Sequence, residues 1–401
     1  MMANLYILRN QIKHYTWGSA NLIPRLLGAQ GDGSLWAELW MGSHADSPSL
    51  AGLPSGDVSL RELIAGDPRR YLGEKTAQRY GELPFLFKVL AAEKPLSIQA
   101  HPNLAQACEG FERENKAQIA HNDPSRNYRD ANHKPEIICA LTPFTGMCGF
   151  RSPGEIARLL SVFFAASAPA PVRENFTPLL RALEMPDPAL ALQTFFCTLF
   201  SLPRDARQAL TDFILSAQDT GGEWELMRQF ARQYPGDPAI IAPLYLNIFH
   251  LEPGEAIFIN AGILHAYIHG LGVELMSNSD NVLRGGLTAK HVDVSELIKV
   301  LDFTPMQPRI IKPDSGCFTY PAPCEEFSLT VMHGEGAAKT ADFARNAPAI
   351  CIVTEGEVSI EAPGGGAVLK QGESAFIPAR GDNDPLVLQG HFTLYAASIP
   401  L

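Results

Sequence analysis

The sequence predicts a mostly β protein with an inserted α-helical domain, on the strength of three observations. Short apolar runs such as 85–90 and 137–141, punctuated by Gly, Pro, Asn and Asp, fill the text before residue 150 and after residue 247. Between them, 153–242 has apolar spacings of three and four, separated by Pro and Gly breaks. Gly254-Glu-Ala-Ile-Phe-Ile-Asn260 and Gly372-Glu-Ser-Ala-Phe-Ile-Pro378 repeat one order of glycine, acid, small and apolar residues, as the same kind of strand entering two β-barrels would. The division that follows is a β-barrel domain in two parts, 1–152 and 244–310, a helical insertion at 153–243, and a second β-barrel at 311–401 without metal ligands.

One helix is expected inside the first β segment, over 104–119, where Ala, Gln, Glu and Lys run without Pro and Asn103 stands at the N-cap. Ser152-Pro153-Gly154-Glu155 is a helix-start signal, and helices are expected within 156–166, 189–202, 206–217 and 224–233. Their Leu and Phe stripes are assigned to internal core. Strand text resumes at Ile248, turns at Glu252-Pro253-Gly254-Glu255 and continues to about residue 304. A linker rich in Pro and charge, 305–313, leads into the last block of short strands and Gly turns.

With 401 residues, 46% hydrophobic and 19% charged, the chain is long and apolar enough for two or three folded domains. Its net charge of −11 argues against nucleic acid and anionic membrane as partners and favours a small molecule. An anionic ligand would need a local cationic cluster, for which Lys88, Lys134, Arg284 and Lys290 are candidates. Seven scattered cysteines without Cys-x-x-Cys spacing read as small hydrophobes of a reducing compartment. No signal-peptide core precedes Arg9, Lys13 and His14, and no apolar run approaches membrane-spanning length, so a soluble cytoplasmic protein is expected.

The chemistry concentrates in three stretches. In Ser97-Ile-Gln-Ala-His-Pro-Asn103, alternation puts Gln99 and His101 on one face of a strand. Tyr128-Arg-Asp-Ala-Asn-His-Lys-Pro-Glu136 is dense in ionisable groups, and Glu136 stands at the entrance of the apolar run 137–141, where a carboxylate needs a partner. His265 follows a strand and the Gly262 turn. Gln99, His101, Glu136 and His265 together would suit zinc or a similar divalent ion. A neutral amide among the ligands leaves net positive charge on the ion, which then acts as a strong Lewis acid. In the third stretch, Ser277 to Thr288, Gly285 and Gly286 permit close backbone approach and Arg284 can grip a phosphate or carboxylate. A plain turn explains Gly-Gly equally well. His14, His44, His121, His250, His269, His291, His333 and His391 are assigned to surface or satisfied core positions.

Five stretches carry a family resemblance: Trp36-Ala-Glu-Leu-Trp-Met-Gly42, Pro95-Leu-Ser-Ile-Gln-Ala-His-Pro102, Asn132-His-Lys-Pro-Glu136, Asn260-Ala-Gly-Ile-Leu-His-Ala-Tyr267 and Asp280-Asn-Val-Leu-Arg-Gly-Gly-Leu-Thr288. In order and content the chain resembles the type I mannose-6-phosphate isomerases, zinc enzymes of the cupin superfamily. The resemblance implies cupin-type jelly-roll barrels and one Zn2+ per chain, held by Gln99, His101, Glu136 and His265. It implies catalytic roles for Arg284, Lys134, His133 and Asp280, and substrate binding by Lys88, Ser97, Tyr267 and Arg284. The implied reaction interconverts mannose 6-phosphate and fructose 6-phosphate by proton transfer between C1 and C2 through a cis-enediol, in a monomer. Lys134 or His133 would move the proton if burial and the metal lower its pKa. Arg284 cannot easily act as a base and is assigned to phosphate, ring opening or enediolate charge. Asn260 departs from the proline usual at that turn, and Ala131 interrupts the polar run before Lys134.

Two other readings stand beside this one. An iron-dependent oxygenase of the same superfamily would use a 2-His-1-carboxylate set, against which Gln99 and Arg284 argue. A sugar-phosphate-binding module without catalysis would have no need of Lys134, His133 and Asp280 beside the ligands.

Overall fold

The computed structural model describes residues 5–163, 168–218, 221–314, 316–362, 365–382 and 384–400. It is a mixed α and β structure whose named strands all pair antiparallel, in sheets of eleven and ten strands.

In the eleven-stranded sheet, His265–Ser277 is the central strand. Its second half pairs with Phe85–Ala92 on one side, Val273 opposite Val89, and with Glu136–Ala140 on the other, Leu275 opposite Ile137. Its first half pairs with Phe144–Phe150 and, at His265 alone, with Gln99. The strand changes layers at Gly270, whose φ of +126° a side chain would resist, and where a Cβ would come within 2.8 Å of the Pro143 carbonyl oxygen. This bend brings His265 and Glu136 to the same end of the sheet. Burial on both faces accounts for the mostly apolar strand 85–92, interrupted at Lys88, and for the apolar run 137–140.

The ten-stranded sheet joins early strands of the chain to strands near its C-terminus. The first strand, Tyr6–Arg9, pairs with Ser374–Ile377 of the C-terminal unit, Tyr6 opposite Phe376, and with Leu50–Ala51. Strands 6–9, 50–51 and 58–59 thus lie in this sheet, whereas the other strands before residue 152 lie in the eleven-stranded one. Tyr6 and Leu8 are buried while Ile7 and Arg9 face out, and the Tyr6 ring lies 6.0 Å from Tyr71 and 6.2 Å from Phe376. Phe85, Phe87 and Val89 of one sheet share a single core with Tyr320, Leu329 and Ile350 of the other.

Helix Leu104–Lys116 begins at Asn103 with a reciprocal capping box to Gln106, both bonds 2.9 Å. The insertion comprises helices Pro153–Phe163, Ala170–Ala182, Pro188–Phe200, Arg204–Ser216 and Gly222–Gln233, then a 3-10 turn, Pro238–Ile241. Ala170–Ala182, with Pro178 inside it, falls within the block read as helical. Part of the helix expected over 156–166 falls outside the described residues. The five helices Leu22–Leu26, Leu60–Gly66, Pro68–Leu72, Glu74–Arg79 and Val294–Val300 lie in text read as strand; none exceeds seven residues, too few to display a helical period. The insertion's core, with Phe195, Phe196, Leu199 and Phe230, is continuous with Ile98, Leu264, Leu283 and Leu287 behind the ligand strands. No helix among the described residues is long and apolar enough to cross a membrane.

Candidate active site

Glu136 and His265, each at the start of a strand, and His101, just after strand Gln99–Ala100, converge into a buried cluster whose potential ligand atoms all lie within 4.8 Å of one another. His101 Nε2 is 3.4 Å from Glu136 Oε1, and His265 Nε2 is 3.3 Å from Glu136 Oε2. Both rings are oriented from behind. His101 Nδ1 lies 2.6 Å from the Asn281 carbonyl oxygen and His265 Nδ1 lies 2.9 Å from that of Ile263. A carbonyl only accepts, so each Nδ1 carries the proton and each Nε2 turns a lone pair inward. Burial first, and Lys134 next, bring the His101 pKa down to about 4, so the ring is neutral near pH 7.

Two imidazole lone pairs and a carboxylate facing one another repel unless a cation lies between them. Buried His101 Nε2 and Glu136 Oε2 have no hydrogen-bond partner, as such a site requires. Burial opposes ionisation of Glu136, but the Lys134 ammonium, with Nζ 3.2 Å from Oε1, overrides it and holds the carboxyl well below the usual range. Gln99 completes the group: its Nε2 is 3.5 Å from His265 Nε2, and a half-turn of the amide offers the oxygen instead. The donor set of two imidazoles, one carboxylate and one amide fits a divalent transition ion held by oriented ligands.

The neighbouring groups sort by partner. Arg284 follows Leu283 on a two-residue strand paired with Gln99–Ala100, and no carboxylate pairs with it among the described residues. Burial and then the charge of Arg129 lower its pKa; burial, Arg284 and Arg129 do the same for Lys290. Arg129, which sequence reasoning passed over, thus lies near enough to Arg284 and Lys290 for their positive charges to act on one another. Asp280 is partly exposed, with Oδ2 3.5 Å from His44 Nε2. Burial raises its pKa, and His44 overrides this to leave it lowered. His44, read from the sequence as a surface or satisfied core residue, is buried beside Asp280.

Other expected residues stand differently. His133 Nε2 lies 2.9 Å from Glu326 Oε1 of the C-terminal unit, turned away from Lys134 and Glu136. Neighbouring residues of an extended chain point to opposite sides, so Lys134 and Glu136 share the face that His133 leaves. Lys88 Nζ is 3.0 Å from Glu274 and 3.5 Å from Glu38, so its charge is already matched and it is not an open anion contact. Ser97 is half-buried two residues before Gln99. Tyr267 is buried, and burial together with Glu274 and Glu136 pushes its hydroxyl pKa well up. Asn281, fully buried, accepts the Arg129 amide at 2.7 Å and donates to the Asn132 carbonyl oxygen at 2.9 Å, linking the 129–132 segment to the carbonyl that orients His101. The two groups of potential metal ligands found among the described residues, His101–Glu136–His265 and His44–Asp46–Asp280, lie outside 311–401.

Comparison with known proteins agrees over the whole chain. A family profile described as phosphomannose isomerase type I, catalytic domain, matches residues 5–153. Mannose-6-phosphate isomerase of Escherichia coli strain K12 is 38% identical over 392 residues, covering 96% of this chain and 97% of that protein. A crystal structure of a phosphomannose isomerase variant from Salmonella typhimurium superposes with a TM-score of 0.91 at 35% identity, covering 100% of both chains. A zinc-bound crystal structure of mannose 6-phosphate isomerase gives 0.90, also at 35% identity and with full coverage of both chains. Identity at this level along nearly the full length, with the same fold throughout, shows that the chain belongs to the type I phosphomannose isomerase family.

Proposed function

We propose that the chain is a zinc-dependent aldose–ketose isomerase that interconverts mannose 6-phosphate and fructose 6-phosphate by moving a proton between C1 and C2 through a cis-enediol. The observation that carries this reading is the pair of inward Nε2 lone pairs of His101 and His265 facing the Glu136 carboxylate, with Gln99 alongside. Zinc bound there would polarise the substrate's vicinal oxygens and offset negative charge on the enediolate. Lys134, beside Glu136 and on the same face, holds and moves the proton. Arg284 opposes the developing enediolate charge, and Arg129 and Lys290 draw the phosphate, since each lies near enough to Arg284 for their charges to repel. Asp280 and Ser97 contact sugar hydroxyls at the rim, and Tyr267 and Lys88 shape the buried floor.

The two sheets are read as cupin-type jelly-roll barrels, only the first holding metal. The acidic net charge and the seven scattered cysteines without Cys-x-x-Cys spacing support a cytoplasmic setting, and we assign a monomer acting on a small sugar phosphate. The test is a coupled assay on mannose 6-phosphate with chelated and zinc-restored protein. Fructose 6-phosphate is expected from the zinc form alone, and its absence there would sink the isomerase reading.

A further inference from the structure

We propose that Asp237, at the end of the helical insertion, is a positioning residue that holds the loop from Arg284 to Thr288 in its working shape. This is then the insertion's contribution to the site. The effect on turnover rests on the isomerase reading; the effect on the loop does not.

After Arg284 the chain makes a tight return. Gly286 has φ +113° and Leu287, not a glycine, has φ +51°, so two successive residues occupy the left-handed region. Such a path persists only where its surroundings impose it. One side is fixed by the ligand strand: Gly285 N–H donates to the Ile98 carbonyl oxygen at 2.7 Å and Ile98 N–H donates to that of Gly286 at 3.0 Å. Leu287 is anchored in the core that joins the insertion to the site.

The other side meets the insertion. A Cβ on Gly286 would fall 2.3 Å from Ala239 Cβ and 3.0 Å from Asp237 Oδ1, so the loop backbone lies directly on the carboxylate. Asp237 also accepts the Ala239 amide at 2.8 Å, capping the Pro238–Ile241 turn. Burial is the largest influence and leaves the Asp237 pKa raised, while the amides of Ala239, Thr288 and Leu287 act against it by favouring the charged carboxylate. A cavity of about 550 Å³ bordered by Arg207, Asp237, Thr288 and Lys290 opens beside this contact, leaving that flank of the loop without close packing. A carboxylate tether supplies what packing does not. Thr288 continues the chain of support, its hydroxyl accepting the Lys290 amide at 3.1 Å.

The test compares zinc-loaded wild type, Asp237→Ala and Asp237→Asn by amide hydrogen exchange, zinc content and steady-state kinetics, with Arg284→Ala as a second background. In Asp237→Ala, the Leu287 and Thr288 amides are expected to exchange at least tenfold faster, with zinc content unchanged. kcat/KM is expected to fall at least tenfold, and in the Arg284→Ala background Asp237→Ala should cost less than twofold further. Asp237→Asn keeps one accepting oxygen and is expected between wild type and Asp237→Ala. It carries the comparison if the alanine variant does not fold. Unchanged exchange at Leu287 and Thr288 in a folded variant, or the full tenfold loss repeated without Arg284, overturns the proposal. If wild type fails to isomerise mannose 6-phosphate, the isomerase reading falls while the exchange result still decides the role of Asp237.

Discussion

Gln99 stands directly opposite Arg284 in the pairing of Gln99–Ala100 with Leu283–Arg284, and the other edge of the same short strand sets it opposite His265. Directly paired residues project to one face of a sheet. A candidate ligand and the arginine are thereby held in one register, and a slip of one residue would remove both from the site.

This arrangement predicts that the two side chains separate by function. Gln99→Ala removes a donor and should lower zinc affinity by at least about tenfold, a loss of the size seen when a metal site loses a supporting group. Arg284→Ala should keep zinc and lower kcat by about 10²–10³-fold, as for removal of one group opposing transition-state charge. Metal analysis beside steady-state kinetics separates the two, and zinc lost from the Arg284 variant would refute its assignment.

Zinc should also stabilise the fold. Its ligands come from the strands around Gln99, Glu136 and His265, so binding ties together segments distant in sequence. At a hundredfold excess over Kd, binding to the native state alone contributes about 2.7 kcal/mol. Differential scanning of chelated protein with and without added zinc should show Tm rising with concentration. In Glu136→Gln the rise should be much smaller, and an equal rise in both proteins would place the binding elsewhere.

The convergence of His101, Glu136 and His265 was legible in part, because strand alternation puts 99 with 101 and a carboxylate at the entrance of a buried strand needs a partner. Applied to the residues before Glu136, the same alternation would have turned His133 away from the site, but its destination, Glu326, lies 193 residues further along the chain. Long-range pairing likewise hid the placement of Tyr6–Arg9 beside Ser374–Ile377, since the strand's period gives its buried face without its neighbour. Arg129 was hidden because an exposed arginine in a polar run has no local mark of function. Asp237 was hidden because a carboxylate between Gly236 and Pro238 reads as a helix cap, which it also is.

The His133–Glu326 contact has a pH signature. Burial raises the Glu326 pKa, and the hydrogen bond and charge of His133 override it, leaving the folded value below the ordinary one. A depressed carboxyl stabilises the fold fully above its unfolded pKa of about 4.3, and the contribution is lost as pH falls through the folded value. In chelated protein, Glu326→Gln should therefore be less stable than wild type by about 1 kcal/mol at pH 6. Urea titrations should show that gap closing below about pH 4. A gap that stays constant into acid would show that the contact does not depend on the carboxylate.

Proton transfer is the last assignment, and it falls on one of two adjacent residues. Lys134 lies within 3.2 Å of the Glu136 carboxylate and is buried beside it, whereas His133 contacts Glu326 across the boundary with the C-terminal unit. Lys134→Arg keeps a positive charge near Glu136, but a guanidinium holds its proton too tightly to shuttle it. That variant should retain zinc while kcat drops by about 10²–10⁴-fold, the range expected for loss of a general acid–base group. His133→Gln can still hydrogen-bond Glu326 and should keep kcat within about threefold of wild type, well short of that range. Exchange of the C2 hydrogen of mannose 6-phosphate with deuterated solvent gives a direct readout. It should vanish in Lys134→Arg and persist in His133→Gln, and the reverse pattern would move the proton to His133.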